Sequence, residues 1–362
     1  MNIYIPLAIL LILLALFVRK DVKASKIVFA ITMMASMIFA ALRFEFGPDY
    51  FQYNMMYDRL QDIGVEGYLA ANEHIEVLFL YFLNAFPSYY LFIAVQSVLW
   101  FGTLYFFLKK RYDHSYLWIL VFLLYFDVNN ILNNYVAIRT SFVGILFLIA
   151  VPFLRGKKII YILLIVLAFF LHNSSAPLIL FALFNGNKKD NASYNELYVT
   201  LITLGVISFL FGDVISGPIT EYLIDLFPAA FGKYSYYMEN VFTTRSLSLG
   251  NFVFLAIRVF IVIILIGGLR KETDCEYVLF YKIAILMSMI AILFGNMLTS
   301  RLNMNVAPLL IAVYLRTIKY LRKDVAVAFV ACLMAASLFS FYNVLHTESA
   351  ITFLEYHSIL ER

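Results

Sequence analysis

Arg43, Arg139, Arg245, Arg258 and Arg301 each stand in or beside a run of apolar residues, and His172 stands inside one. Guanidinium groups keep their charge at every physiological pH and bind phosphate or pyrophosphate through paired hydrogen bonds. A histidine, with an unperturbed pKa of about 6.5, accepts a proton from a hydroxyl near neutral pH. His172 lies in His172-Asn173-Ser174-Ser175-Ala176-Pro177, which interrupts the apolar stretch 158–186. A second candidate base is in Arg43-Phe44-Glu45-Phe46-Gly47-Pro48-Asp49-Tyr50-Phe51-Gln52-Tyr53, where a Gly-Pro-Asp turn would present Arg43, Glu45, Asp49, Tyr50 and Tyr53 together. Arg139 follows Asn133 and Asn134 in an amide-rich stretch. These residues amount to anion-binding groups, candidate proton acceptors (His172, then Asp49 and Glu45) and rings and amides suited to sugars (Tyr50, Tyr53, Asn134, Asn173). The plain alternatives are snorkelling or internally paired arginines, a buried neutral histidine at a helix break, and interfacial tyrosines.

The elements that must position them follow from composition. Of 362 residues, 63% are apolar or aromatic and 14% charged, against roughly 45–50% and about 25% in soluble domains. A soluble enzyme is excluded, and the chain is expected to be an all-α polytopic membrane protein. Apolar runs fall at 3–18, 27–42, 88–108, 116–130, 135–154, 158–186, 195–211, 251–269, 277–295, 303–317 and 324–342. With 158–186 read as two short helices meeting near His172, this predicts about twelve membrane elements in a single domain, 1–362. A broken helix at membrane depth must bury its freed backbone groups in protein or face a watery cavity.

Sorting the 27 basic residues onto alternate sides puts 18 on one, from Arg19, Lys20, Lys23 and Lys26 to Arg322 and Lys323. The positive-inside rule makes that side cytoplasmic and places both termini outside. Two longer polar stretches, 43–75 and 212–250, then face outward, and Arg301 is expected to close a short outer turn. The two cysteines offer no metal or disulfide spacing, and no Walker loop, His-Glu-x-x-His pair or Gly-x-Ser-x-Gly elbow is present. No cofactor, metal or nucleic-acid partner is expected.

Arg43 with Gly47-Pro48-Asp49-Tyr50 and Tyr53, Ile138-Arg139 opening a later span, and His172-Asn173-Ser174-Ser175 after an aromatic run resemble the EpsG-like, Wzy-type polysaccharide polymerases. Pro48 stands where the family's turn resembles Gly-Thr-Asp-Tyr, and Asn303 and Asn305 stand where it often shows an aromatic residue. The resemblance implies a multi-pass protein of the bacterial inner membrane that extends O-antigen, capsule or exopolysaccharide. The implied reaction is glycosyl transfer on the outer face, with undecaprenyl pyrophosphate as leaving group. The implied partners are that lipid-linked oligosaccharide, the bilayer and a chain-length regulator. The competing readings are a lipid-linked oligosaccharide flippase or other transporter, an O-antigen ligase, and a membrane acyltransferase.

Overall fold

The computed structural model describes residues 3–71, 77–184, 203 and 249–345, and a short strand at 357–358. Its helices are α1 (Tyr4–Phe17), α2 (Val22–Ala41), α3 (Pro48–Ala71), α4 (Val77–Asn84), α5 (Tyr89–Leu108), α6 (Leu117–Phe126), α7 (Val128–Tyr135), α8 (Ile138–Ala150), α9 (Lys158–Leu171), α10 (Leu249–Lys271), α11 (Cys275–Ile318) and α12 (Lys323–Leu345). A 3-10 segment, Asn173–Leu183, follows α9. Strand β1 (Arg43–Phe44) pairs antiparallel with β2 (His357–Ser358), Arg43 opposite Ser358 and Phe44 opposite His357.

Six helical stretches among the described residues are long and apolar enough to cross a bilayer, or seven if the bent pair α6–α7 is one span. Three shorter apolar helices add to them: Tyr4–Phe17, Lys158–Leu171 and Leu302–Ile318. The chain is an all-α polytopic membrane protein, with fewer full-length spans among the described residues than the twelve elements expected. The run 195–211 lies outside the described residues, save Thr203. The backbone is helical through Arg301, so the expected outer turn there is replaced by the continuous helix α11. The polar stretch 43–75 is likewise mostly helix, α3.

The chain divides into two compact units, residues 1–185 with 301–362, and residues 186–300. In the first, α6 is central: nine of its ten residues, all but Trp118, are buried, and it packs on α1, α2, α7 and α12. Beside it α2 packs on α5, α5 on α8, and α8 on α9. Helix starts are fixed by side-chain caps that accept otherwise orphaned N–H groups. Asp21 caps α2 through Lys23 and Ala24 N–H, and Ser88 caps α5 through Leu91 N–H.

Two elements of this unit are broken. Helices α6 and α7 meet at 67° at Asp127, whose carboxylate accepts from the Asn130 N–H at 3.2 Å and its Nδ2 at 3.0 Å. Two carbonyls in the last turn of α6 are also satisfied by side chains: Asn134 Nδ2 donates to Leu124 O at 3.3 Å and the Tyr4 hydroxyl to Tyr125 O at 2.7 Å. These bonds serve the need that backbone groups freed at membrane depth be bonded within protein.

The second break is at His172, as the sequence leads one to expect. Lys158, at the start of α9, donates to Ala182 O and Phe184 O at the far end of the 3-10 segment, both at 2.7 Å. Tyr161 donates to Leu178 O. The two legs therefore run back along each other as a hairpin whose ends lie together and whose tip is His172. A 14-residue helix rises only about 21 Å, short of the roughly 30 Å hydrocarbon core.

The second unit contributes α10 and the first part of α11 among the described residues. Gly268 lets them approach, because a Cβ there would lie 2.8 Å from the Tyr281 hydroxyl. Glu272 is buried and accepts from the N–H groups of Thr273 and Asp274 at 2.9 Å each, shaping the turn between the helices.

Candidate active site

Three contacts join the stretch from Arg43 to Tyr53 to the stretch from Asn134 to Arg139. Arg43 donates through Nη1 to Asn134 O at 3.5 Å and through Nη2 to Gln96 Oε1 at 3.1 Å. Gly47, at φ +85°, lies against Val136, whose two methyls would stand 3.1 Å from a Cβ at that position. Arg139 Nε donates to the Tyr53 hydroxyl at 2.6 Å. Gly47 is therefore required twice over, by a backbone conformation that other residues rarely adopt and by this close approach. Glu45 beside it takes φ +52°, so the turn is tightly wound before Pro48 opens α3, where a proline is well tolerated.

The arginines differ in setting. Arg43 is 2% exposed, and its acceptor Gln96 is fixed in turn: Gln96 Nε2 donates to Ser141 Oγ at 2.6 Å, and Ser141 donates to Ile138 O at 2.7 Å. On the other side Trp100 Nε1 donates to Asn134 Oδ1 at 2.7 Å. Trp100 fits because residue 144 is glycine, where a Cβ would lie 2.7 Å from the indole ring. Arg139 is only partly buried, with its guanidinium 5.4 Å from the centre of the Tyr53 ring and 6.0 Å from that of Phe79. Such cation–π contacts hold a guanidinium in place while leaving its charge intact.

Glu45 and Asp49, both partly exposed, belong to the same neighbourhood. Glu45 and Arg43 act electrostatically on Tyr50, and Asp49 and Arg43 on Tyr89. Burial pushes the Tyr50 phenol well above its ordinary pKa, with Tyr90 and Glu45 adding to the rise and Arg43 opposing it. Tyr50 is therefore a neutral group at physiological pH, and its own carbonyl accepts from the Tyr89 hydroxyl at 3.1 Å.

Of the residues singled out from the sequence, the fold brings Arg43, Glu45, Asp49, Tyr50, Tyr53, Asn134 and Arg139 into one region. Asn134 differs from the expectation of an open sugar contact. It is 1% exposed, with both amide atoms and its carbonyl engaged, so it holds Arg43 and Trp100. His172 is 4% exposed at the hairpin tip, with Asn173 opening the 3-10 segment beyond it. The hairpin packs against α8, and α9 also against α4, the helices that carry Arg139 and Phe79. Arg258 is in the other unit, donating to Ala291 O at 3.1 Å and lying 4.3 Å from the centre of the Phe254 ring. Arg301 lies on the backbone of α11, and Arg245 is outside the described residues.

Sequence reading missed Gln96, Trp100, Ser141 and Gly144. A signal existed for the first: Gln96 is an amide within the apolar helix α5, and such a group must find a partner at depth. Trp100 and Gly144 are unremarkable in sequence and acquire meaning only through their mutual approach.

The chain belongs to the EpsG family, whose model matches residues 26–358. No curated protein and no solved structure matches it.

Proposed function

From that membership and this geometry, we propose that the protein is a polysaccharide polymerase joining lipid-linked repeat units at the outer face of the bacterial inner membrane. The observation that carries the reading is the convergence of Arg43, Arg139, Glu45 and Asp49 where two distant segments meet. In the reaction, the bond between the anomeric carbon of the growing glycan and its pyrophosphate oxygen breaks. A new bond forms from that carbon to a sugar hydroxyl of the incoming lipid-linked unit. The hydroxyl proton passes to a protein base, and undecaprenyl pyrophosphate leaves with the bonding electron pair.

Arg139 is assigned to the departing pyrophosphate, with Arg301 as a further cationic partner. Preorganised charge in a water-poor site is often the largest catalytic contribution. Arg43 holds the turn that carries Glu45 and Asp49. His172 is the first choice for base and Asp49 the second; Asn173 is assigned to a sugar contact, while Tyr53, 3% exposed, holds Arg139 through its hydroxyl and ring. The basic side of the bundle faces the cytoplasm by the positive-inside rule. The hairpin, whose base carries Arg155, Lys157 and Lys158, then enters from that side and holds His172 within the membrane. A chain-length regulator acting on the same polymer is the natural protein partner.

Deletion of the encoding gene, with gel analysis of the surface glycan, tests this. The polymerase predicts collapse of a long-chain ladder to a single repeat unit, restored by wild type and not by stably expressed Arg139→Ala. Loss of all repeat-bearing glycan would indicate a flippase or ligase instead, and an unchanged ladder would exclude a role in polysaccharide assembly in that host.

A further inference from the structure

Helices α7 and α11 meet at Asn133, whose Nδ2 donates to Met304 O at 2.9 Å. The other half of this amide, Oδ1, is buried with no protein partner. Asn305, the residue after Met304, is 0% exposed and neither its Nδ2 nor its Oδ1 is bonded. One turn back on α7, Asn130 Oδ1 is also unpartnered while its Nδ2 is held by Asp127. Leaving a buried amide group unsatisfied costs about 1–3 kcal/mol, so three such side chains on α7 and α11 call for an account.

Reassigning amide orientation does not remove the problem. Turning Asn133 over would set its oxygen against the Met304 carbonyl oxygen and leave its NH2 unpaired. Turning Asn130 over would set its oxygen against the Asp127 carboxylate. In Asn305 neither amide atom is bonded. Asn133 bonds the carbonyl of Met304, Asn305 is the next residue with its Cα about 3.8 Å from that of Met304, and no direct bond joins the two amides. A small ligand that both donates and accepts would satisfy Asn133 Oδ1 and Asn305 Nδ2 together.

We propose that Asn133 and Asn305 enclose an ordered water that bridges α7 to α11. Internal waters typically make two to four hydrogen bonds to groups of this kind, and a site closed to solvent suits water rather than a sugar. The water ties α11 to the helix that carries Asn134, and so to the Arg43 framework. The proposal is independent of the polymerase reading, because its test reads stability alone.

Asn305→Thr and Asn305→Val differ by one hydroxyl at the same shape and helix propensity. In the purified full-length protein, Asn305→Thr should melt about 2–4 °C above Asn305→Val, the shift expected for about 1 kcal/mol in a sizeable domain. The gap should close in an Asn133→Ala background, where the water has lost its second anchor. A Val variant at least as stable as the Thr variant, or a gap that persists without Asn133, would overturn the bridge. Should either variant fail to fold, a high-resolution density map of the unmodified protein decides. A peak about 2.7–3.2 Å from both amides is expected, and well-ordered amides with no peak between them would overturn it.

Discussion

Arg43 and Arg139 belong to the same region of the molecule and are held in opposite ways. Arg43 is 2% exposed, and its partners Gln96 and Asn134 are themselves tied to Ser141, Trp100 and the end of α6. Arg139 is partly exposed and held by one hydroxyl and two aromatic faces. The difference separates two uses of a cation in a membrane protein. One secures a network whose buried amides each need a partner, and the other leaves its charge at a partly exposed edge.

Removing the first kind should damage stability most. Arg43→Ala leaves the buried oxygens of Gln96 and Asn134 without their donor and is expected to cost about 1–3 kcal/mol for each acceptor left unsatisfied, read as lost yield and a lowered melting temperature. Arg139→Ala should instead spare the melt and lower the polymerisation rate about 100-fold, the scale of losing one preorganised charge contact. If Arg43→Ala melted normally, or Arg139→Ala unfolded the protein, the comparison would fail.

Smaller changes sharpen it. Gly144→Ala forces the Trp100 ring away from a Cβ that would otherwise lie 2.7 Å from it. The expected cost is about 1–3 kcal/mol in thermal melts, through Asn134 and hence Arg43. Tyr53→Phe keeps the ring under Arg139 and removes the 2.6 Å hydrogen bond. A loss of about 1 kcal/mol, seen as a roughly fivefold fall in kcat/KM with unchanged stability, is expected.

The smallest effect is electrostatic and remote from the site. Asp113 pairs with Lys319 at 2.9 Å. Burial raises the Asp113 pKa, but the lysine and the Ser115 N–H outweigh it and leave the carboxyl below its ordinary value. The pair's contribution is therefore present above the unfolded pKa of about 3.9 and is lost as pH falls through the lower folded value. Because both partners are partly exposed, Asp113→Asn should cost well under about 1 kcal/mol at neutral pH. Melts of wild type and variant should converge in acid.

What could be read from the sequence was decided by how local the signal is. The apolar runs and the basic flanks of 158–186 expose the hairpin and its tip at His172, because helix length and charge are local properties. The amide-rich stretch after Asp127 does not look helical, since asparagine competes with the backbone in isolation. It folds as α7 because Asp127 caps it and Asn134 reaches back to Leu124. Pro48 reads as part of a loop, yet it begins α3, and Tyr50, Tyr53, Tyr57 and Leu60 then fall on its buried face. The polar residues around Arg301 suggest a turn that α11 does not make. In the site, Arg43 and Arg139 are visible as cations out of place, whereas the partners that separate their roles come from α5 and α8 and depend on packing.

The most direct test of this division is a paired measurement on purified Arg139→Ala in a bilayer nanodisc: its melting temperature, and its rate of joining lipid-linked repeat units. A wild-type melt with a rate about 100-fold lower is the predicted result. A wild-type rate at wild-type stability would contradict the assignment of Arg139 to the pyrophosphate.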